Sequence, residues 1–122
     1  MTEIRKMLKN NLTKENEAKL IYLLAYGHYV KAEYEKSHEL LEKALTLEES
    51  GSLADIRNHA YNLLGNINLI KGEFIKSITY YEKALLNDFN VIEQFETYCN
   101  LVLLYSQSGN FDKANDYLHK AK

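Results

Sequence analysis

The chain contains no proline and no tryptophan, and it has a single cysteine among 122 residues. Without proline, the connections between its elements must rely on other turn residues. A single cysteine excludes an internal disulfide and is typical of a reducing compartment, so we expect a cytoplasmic location. The sequence has no run of about 18 apolar residues, as a membrane-spanning helix would require. Residues 1–7 lack the apolar segment of a secretory signal.

An excess of charge of one sign is also missing. Fifteen Lys and Arg residues against 17 Asp and Glu residues give a formal net charge of −2, and no stretch collects basic residues on one face. This argues against a nucleic-acid partner. No metal-ligand spacing relates His28, His38, His59 and His119, and no glycine-rich phosphate loop occurs. We therefore predict no enzyme, no catalytic residue, no metal and no cofactor.

What the chain does contain is a pattern that occurs three times. In each copy a small or apolar pair is followed ten residues later by an aromatic residue, and ten residues after that by alanine. The copies are Leu24-Ala25, Tyr34, Ala44; Leu64-Gly65, Phe74, Ala84; and Leu101-Val102, Phe111, Ala121. The steps between the alanines are 40 residues (44 to 84) and 37 residues (84 to 121). Repeats of this length are typical of solenoids built from helical hairpins that stack on one another.

These residues resemble the tetratricopeptide repeat (TPR). The second copy shows the pattern most fully, with Tyr61, Leu64-Gly65, Gly72, Phe74, Tyr81, Ala84 and Leu85. The third copy has Tyr98, Leu101, Tyr105, Gly109, Phe111, Ala114, Leu118 and Ala121. The first has Ile21, Leu24, Ala25, Tyr34, Leu41 and Ala44, with Ala32 in place of the turn glycine. The resemblance covers residues 18–122, although the steps exceed the family's usual ~34 residues and the closing proline is absent.

The resemblance implies an all-α fold, a right-handed α-solenoid of stacked antiparallel helix pairs with about seven helices. We predict an N-terminal capping helix within residues 1–13 and a TPR-like solenoid over residues 14–122, with units at about 18–51, 58–91 and 95–122. The predicted helices of the solenoid span residues 14–31, 34–48, 53–71, 74–86, 91–108 and 111–121.

In such a stack the leading helix of each pair lines the inner, concave face. Tyr22, Tyr26 and Tyr29 follow the spacing of one helix face. Tyrosine combines a large apolar contact with a hydrogen-bonding tip, which suits a binding surface. For Tyr29, packing as core against the neighbouring helix is the alternative interpretation.

Three asparagines share one face of the second leading helix, because Asn58, Asn62 and Asn66 are each four residues apart. Asparagine is a poor helix former, so a row of three suggests a function. A carboxamide both donates and accepts, so Asn62 and Asn66 are predicted to hold the backbone of an extended peptide. The alternative is a solvated face without function.

The third leading helix completes the predicted face with Cys99, Leu103 and Gln107. The face is polar, aromatic and nearly uncharged. It differs from TPR domains that grip a C-terminal carboxylate with lysine and arginine, so we disfavour a receptor for chaperone tails.

The sequence therefore predicts a non-enzymatic protein- or peptide-binding scaffold. Long repeats and groove asparagines are similar to those of bacterial peptide-sensing regulators, so we expect a peptide-responsive or assembly system. The alternative is a structural unit for homo-oligomerisation, in which the groove is idle. In that hypothesis Tyr117 and Leu118 lie at an uncovered C-terminal end and form a homodimer interface.

Overall fold

The computed structural model describes residues 14–47, 54–86 and 91–121, which form six α-helices. The helices are α1 (Lys14–Val30), α2 (Tyr34–Leu47), α3 (Ala54–Ile70), α4 (Phe74–Ala84), α5 (Val91–Gln107) and α6 (Phe111–Ala121). No strand occurs in these three segments, so the all-α prediction is confirmed. The capping helix predicted within residues 1–13 lies outside the described residues, and the proposed unit boundaries stay predictions.

The helices pair in chain order into three hairpins, α1 with α2, α3 with α4, and α5 with α6. The first two hairpins meet through α2 and α3, with further contact between α1 and α3. The second and third meet through α4 and α5. A hairpin has one apolar face that it cannot bury alone, and this order of contacts covers that face with the next pair. The predicted stack of antiparallel helix pairs is confirmed.

Each hairpin turns through the same hydrogen-bonded motif. The residue in the left-handed conformation is Ala32 (φ 63°), Gly72 (φ 79°) or Gly109 (φ 83°). Its N–H donates to the carbonyl oxygen three residues back, and the next N–H donates to the carbonyl oxygen five residues back, as Gly72 to Leu69 and Glu73 to Asn68. This is the Schellman arrangement, which closes a helix by satisfying its last carbonyl groups. The turn that lacks glycine therefore has the same shape as the two that contain it.

The core forms two clusters between successive hairpins. The first cluster contains Ala25, Leu41, Ala60, Leu63, Leu64 and Ile67. The second contains Tyr81, Leu101, Leu104, Tyr105 and Ala114. The repeated alanines Ala44 and Ala84 are fully buried, and their small side chains allow the helix backbones to approach closely.

Buried serines join the two helices of the first and second hairpins. The Ser37 Oγ donates to the Ala25 carbonyl oxygen at 2.8 Å, and the Ser77 Oγ donates to the Gly65 carbonyl oxygen at 2.8 Å. Both serines are fully buried, so each hydroxyl is satisfied inside the hairpin. The third hairpin has Ala114 at the corresponding position.

Candidate functional site

Two adjoining cavities lie along the leading helices α1, α3 and α5. The first has a volume of about 270 Å³ and is lined by Tyr22, Tyr26, Tyr29, His59, Asn62, Leu63, Asn66 and Glu96. The second has a volume of about 390 Å³ and is lined by Tyr29, Asn66, Leu69, Ile70, Phe95, Glu96, Cys99 and Asn100. The two cavities share Tyr29, Asn66 and Glu96, so they form one continuous depression, which we name the inner groove.

The three predicted tyrosines all line this groove, with different degrees of burial. Tyr26 is 48% exposed, and its ring lies 6.2 Å from that of Tyr29 between centroids. The Tyr22 ring lies 5.7 Å from the imidazole of His59. Tyr29 also packs against the first core cluster, and burial raises its pKa above the ordinary value for tyrosine. Tyr29 thus packs against the core and also lines the groove, and its role in binding stays a prediction.

The two predicted asparagines line the groove, but their carboxamide oxygens have partners inside the protein. The Asn62 Oδ1 accepts a hydrogen bond from the Thr97 Oγ1 at 2.6 Å, which joins α3 to α5. The Asn66 Oδ1 accepts one from the Tyr81 hydroxyl. Each carboxamide also carries an NH₂ group, so it has hydrogen-bond donors to offer a ligand. Asn58 differs from the predicted row, because it is fully buried near the N-terminal end of α3.

A buried tyrosine connects the asparagines of two helices beneath the groove. The Asn100 Nδ2 donates to the Tyr81 hydroxyl at 3.3 Å, and the Tyr81 hydroxyl donates to Asn66. Burial raises the pKa of Tyr81 well above its ordinary value, so this hydroxyl stays protonated and remains a donor. The orientation of Asn66 is therefore fixed by a residue from α4, and sequence spacing along α3 alone gives no sign of it.

Of the predicted residues on α5, Cys99 lines the groove and is exposed. Leu103 is half-exposed and Gln107 is exposed, but neither lines the groove, which ends near Cys99 and Asn100. The sequence prediction missed Phe95, which lies one helical turn before Cys99. The same periodicity, extended towards the start of α5, would have included it.

The two residues predicted for oligomerisation have different environments. The Tyr117 hydroxyl donates to the Glu82 carboxylate of the second hairpin at 2.7 Å, and its ring stacks on Tyr105 at 5.9 Å between centroids. Tyr117 is therefore engaged within the molecule and points back towards α4. Leu118 is 43% exposed.

None of the six helices in the described segments combines the length and apolar character needed to cross a bilayer. Within them, no three His, Cys, Asp or Glu side chains are grouped so that they could hold a metal ion.

The comparison with protein families agrees with this geometry. A model described as the tetratricopeptide repeat matches residues 59–90 and 95–122, the regions of the second and third hairpins. This chain is a TPR protein. The first hairpin lies outside the matched residues. Its turn at Ala32 and its buried Ala25, Ser37 and Ala44 follow the same pattern.

The likeness to one solved structure supports the TPR fold. The crystal structure of the TPR domain of Arabidopsis FLU is similar over 89% of this chain and 94% of that chain, with a TM-score of 0.75 and 20% sequence identity. BtubC from P. vanneervenii matches over 92% of this chain and 64% of that chain at 17% identity, and its TM-score of 0.44 is too low to support a conclusion. A comparison with curated proteins finds no match. At these identities the likeness concerns the fold alone.

Proposed function

We propose that this TPR protein is a non-enzymatic scaffold whose inner groove binds an extended peptide or a segment of a partner protein. The observation that supports this most directly is the exposure of apolar side chains along the groove. Tyr26 is 48% exposed, Ile70 is 52% exposed and Phe95 is 51% exposed, and each comes from a different leading helix. Large apolar side chains left half-exposed in a concave surface are typical of binding sites.

The polar groups of the groove are suited to a peptide backbone. Asn62 and Asn66 accept hydrogen bonds from inside the protein and have N–H donors to offer a ligand. Carbonyl oxygens recur along any extended peptide, so such donors hold the backbone without reading its sequence. Together with the long repeats, this favours a bacterial peptide-responsive or assembly system within the TPR class.

The single cysteine provides a direct test, because Cys99 lines the groove and is exposed. A random-peptide phage library is selected on the purified protein before and after its thiol reacts with a bulky polyethylene-glycol maleimide. We expect the unmodified protein to enrich peptides and the modified protein to lose them. The control is Cys99→Ser treated with the same reagent, which should still enrich the same peptides. Peptides that bind equally well after modification of Cys99 would contradict the proposal.

A second candidate function, self-association through the third hairpin, is favoured by one observation. Leu41 and Tyr81 occupy corresponding positions in the first two hairpins and are fully buried. The third residue of the series, Leu118, is 43% exposed. Sedimentation over a concentration series tests this, with Leu118→Glu expected to shift the equilibrium to monomer. Ile75→Glu, a change at another exposed apolar residue, is the control. A wild-type protein that stays monomeric at every concentration excludes the candidate.

A further inference from the structure

A single carboxylate occupies the middle of the inner groove. Glu96 on α5 lines both cavities, together with Tyr29 and Asn66. Among the described residues that line the groove, it is the only Asp, Glu, Lys or Arg. Glu96 is exposed, and within the described segments no basic side chain lies within ion-pair distance of it. The groove therefore has a negative centre that the described parts of the protein do not neutralise.

The described side chains that line the groove around Glu96 include no lysine or arginine that could offset its negative charge. They are phenol and phenyl rings, carboxamides, a thiol and aliphatic groups, with His59 at one side. A charge interacts more strongly in a partly enclosed groove than on an open surface, because less water lies between the partners. A cation that enters the groove would therefore interact with Glu96 more strongly than with an ordinary surface glutamate.

Aromatic rings in the same groove also attract cations. Phe95 precedes Glu96 on α5 and is half-exposed, while Tyr26 and Tyr29 face the groove from α1 with their rings 6.2 Å apart. The face of an aromatic ring carries negative charge density, and arginine stacks on it readily. The Glu96 carboxylate and the aromatic rings thus both favour a cationic group on the ligand.

From this arrangement we infer that the inner groove selects a peptide segment carrying an arginine next to an apolar residue, with Glu96 as the counter-ion of the guanidinium. The inference rests on the proposed function and adds the chemistry of the ligand. A guanidinium pairs with a carboxylate through two parallel hydrogen bonds and stacks on a ring at the same time, so arginine suits the site better than lysine. Leu69 and Ile70 line the adjoining cavity and accommodate the apolar neighbour.

The same charge rejects acidic segments. A peptide carboxylate placed at the centre of the groove would face Glu96, and no lysine or arginine among the described lining residues would offset the repulsion. The net charge of −2 acts in the same direction at longer range. We therefore expect peptides rich in aspartate and glutamate to be absent from any set that binds in the groove.

The test extends the library selection to the Glu96→Gln variant, which keeps the size of the side chain and removes its charge. Wild-type protein is expected to enrich arginine among the selected peptides, and Glu96→Gln is expected to lose that enrichment. Glu39→Gln is the matched control, because Glu39 is an exposed glutamate on α2 outside the groove.

Calorimetry then measures one selected arginine peptide and its citrulline analogue, which has the same shape without the charge. We expect the arginine peptide to bind wild type about tenfold more tightly than the citrulline peptide, a typical loss for one charged hydrogen-bonded pair. For Glu96→Gln the two peptides should bind within about twofold of each other, and the Glu39→Gln control should keep the wild-type ratio.

The outcomes separate the two proposals. If Cys99 modification abolishes selection but the selected peptides show no excess of arginine, the groove binds peptides and the inference about their charge is wrong. The inference also fails if Glu96→Gln keeps the arginine preference. If modification of Cys99 leaves every selected peptide bound, or if no peptide is enriched, both the inference and the proposed function are wrong.

Discussion

The ring of Tyr81 lies so close to the backbone of Gly65 that a Cβ atom at residue 65 would come within 2.5 Å of two ring carbons. Tyr81 is fully buried, so the ring has little freedom to move away. In the first hairpin the corresponding pair is Ala25 and Leu41. Ala25 is larger than Gly65, and Leu41, which corresponds to Tyr81, is smaller than tyrosine. The glycine is thus required by the size of the tyrosine that packs on it.

Replacing Gly65 with alanine should therefore destabilise the protein although alanine is the better helix former. We expect a loss of about 1–3 kcal/mol in the free energy of unfolding, the usual cost of overpacking a core. Gly27→Ala is the matched control, because a Cβ at Gly27 in α1 meets nothing within 4 Å. That change should stabilise the protein by about 0.5–1 kcal/mol. Urea denaturation of both variants measures the difference, and equal effects would contradict the packing argument.

Substitutions at the turn residues in the left-handed conformation should also change stability in opposite directions. Ala32 has φ 63°, a conformation that carries a steric penalty of about 1 kcal/mol for residues with a Cβ. Ala32→Gly should therefore raise the melting temperature, whereas Gly72→Ala should lower it. Thermal unfolding followed by circular dichroism gives both values, and Gly109→Ala (φ 83°) is expected to match Gly72→Ala. A stabilising effect of Gly72→Ala would show that the turn does not hold this geometry.

Much of the fold could be predicted because it depends on local pattern. The aromatic residues Phe74 and Phe111 begin α4 and α6 at the predicted residues. The sequence pattern predicts that α4 ends at Leu86, two residues later than in the structure. Leu85 and Leu86 instead donate to carbonyl oxygens three residues back, which tightens the chain into a turn after Ala84. Apolar character continues past Ala84, so periodicity gave no sign of this change.

The site was less accessible from sequence, because its details depend on partners from other helices. The periodicity along α1 correctly grouped Tyr22, Tyr26 and Tyr29 on one face. It could not show that Thr97, 35 residues further along the chain, donates a hydrogen bond to the Asn62 Oδ1. Spacing within one helix identifies a face, whereas contacts between hairpins decide which atoms of that face remain available to a ligand.

The stability of the protein should fall at alkaline pH because of the tyrosines that join the last two hairpins. Burial, with donation to the Glu82 carboxylate, raises the pKa of Tyr105 from 10.0 to about 12 and raises that of Tyr117 in the same direction. Below pH 10 both states keep these protons, so the stabilisation is fully present. Between pH 10 and about 12 the unfolded chain releases a proton that the folded chain retains, so stability decreases as pH rises.

Urea midpoints measured at several pH values in this range test that expectation. Tyr105→Phe removes one of the two hydroxyl groups whose pKa is raised. The stability of this variant should therefore decline less steeply with pH than that of wild type. Glu82→Gln removes the nearby negative charge and should lower the pKa of Tyr105, measured from the absorbance of the tyrosinate ion. A wild-type urea midpoint that does not change between pH 10 and about 12 would mean that the Tyr105 hydroxyl is not buried and bonded to Glu82 as the structure describes.

Changes in the inner groove should separate binding from folding only where the side chain has no partner in the core. Asn66→Ala removes the acceptor of the Tyr81 hydroxyl, so we expect it to cost about 1–3 kcal/mol of stability together with peptide binding. Tyr26→Ala removes a side chain that is 48% exposed, so its stability should stay within about 0.5 kcal/mol of wild type while binding weakens. Urea denaturation and peptide calorimetry on the same two variants measure both effects. A Tyr26→Ala variant that unfolds as readily as Asn66→Ala would place Tyr26 among the residues that hold the hairpins together, and its exposure would then have no bearing on function.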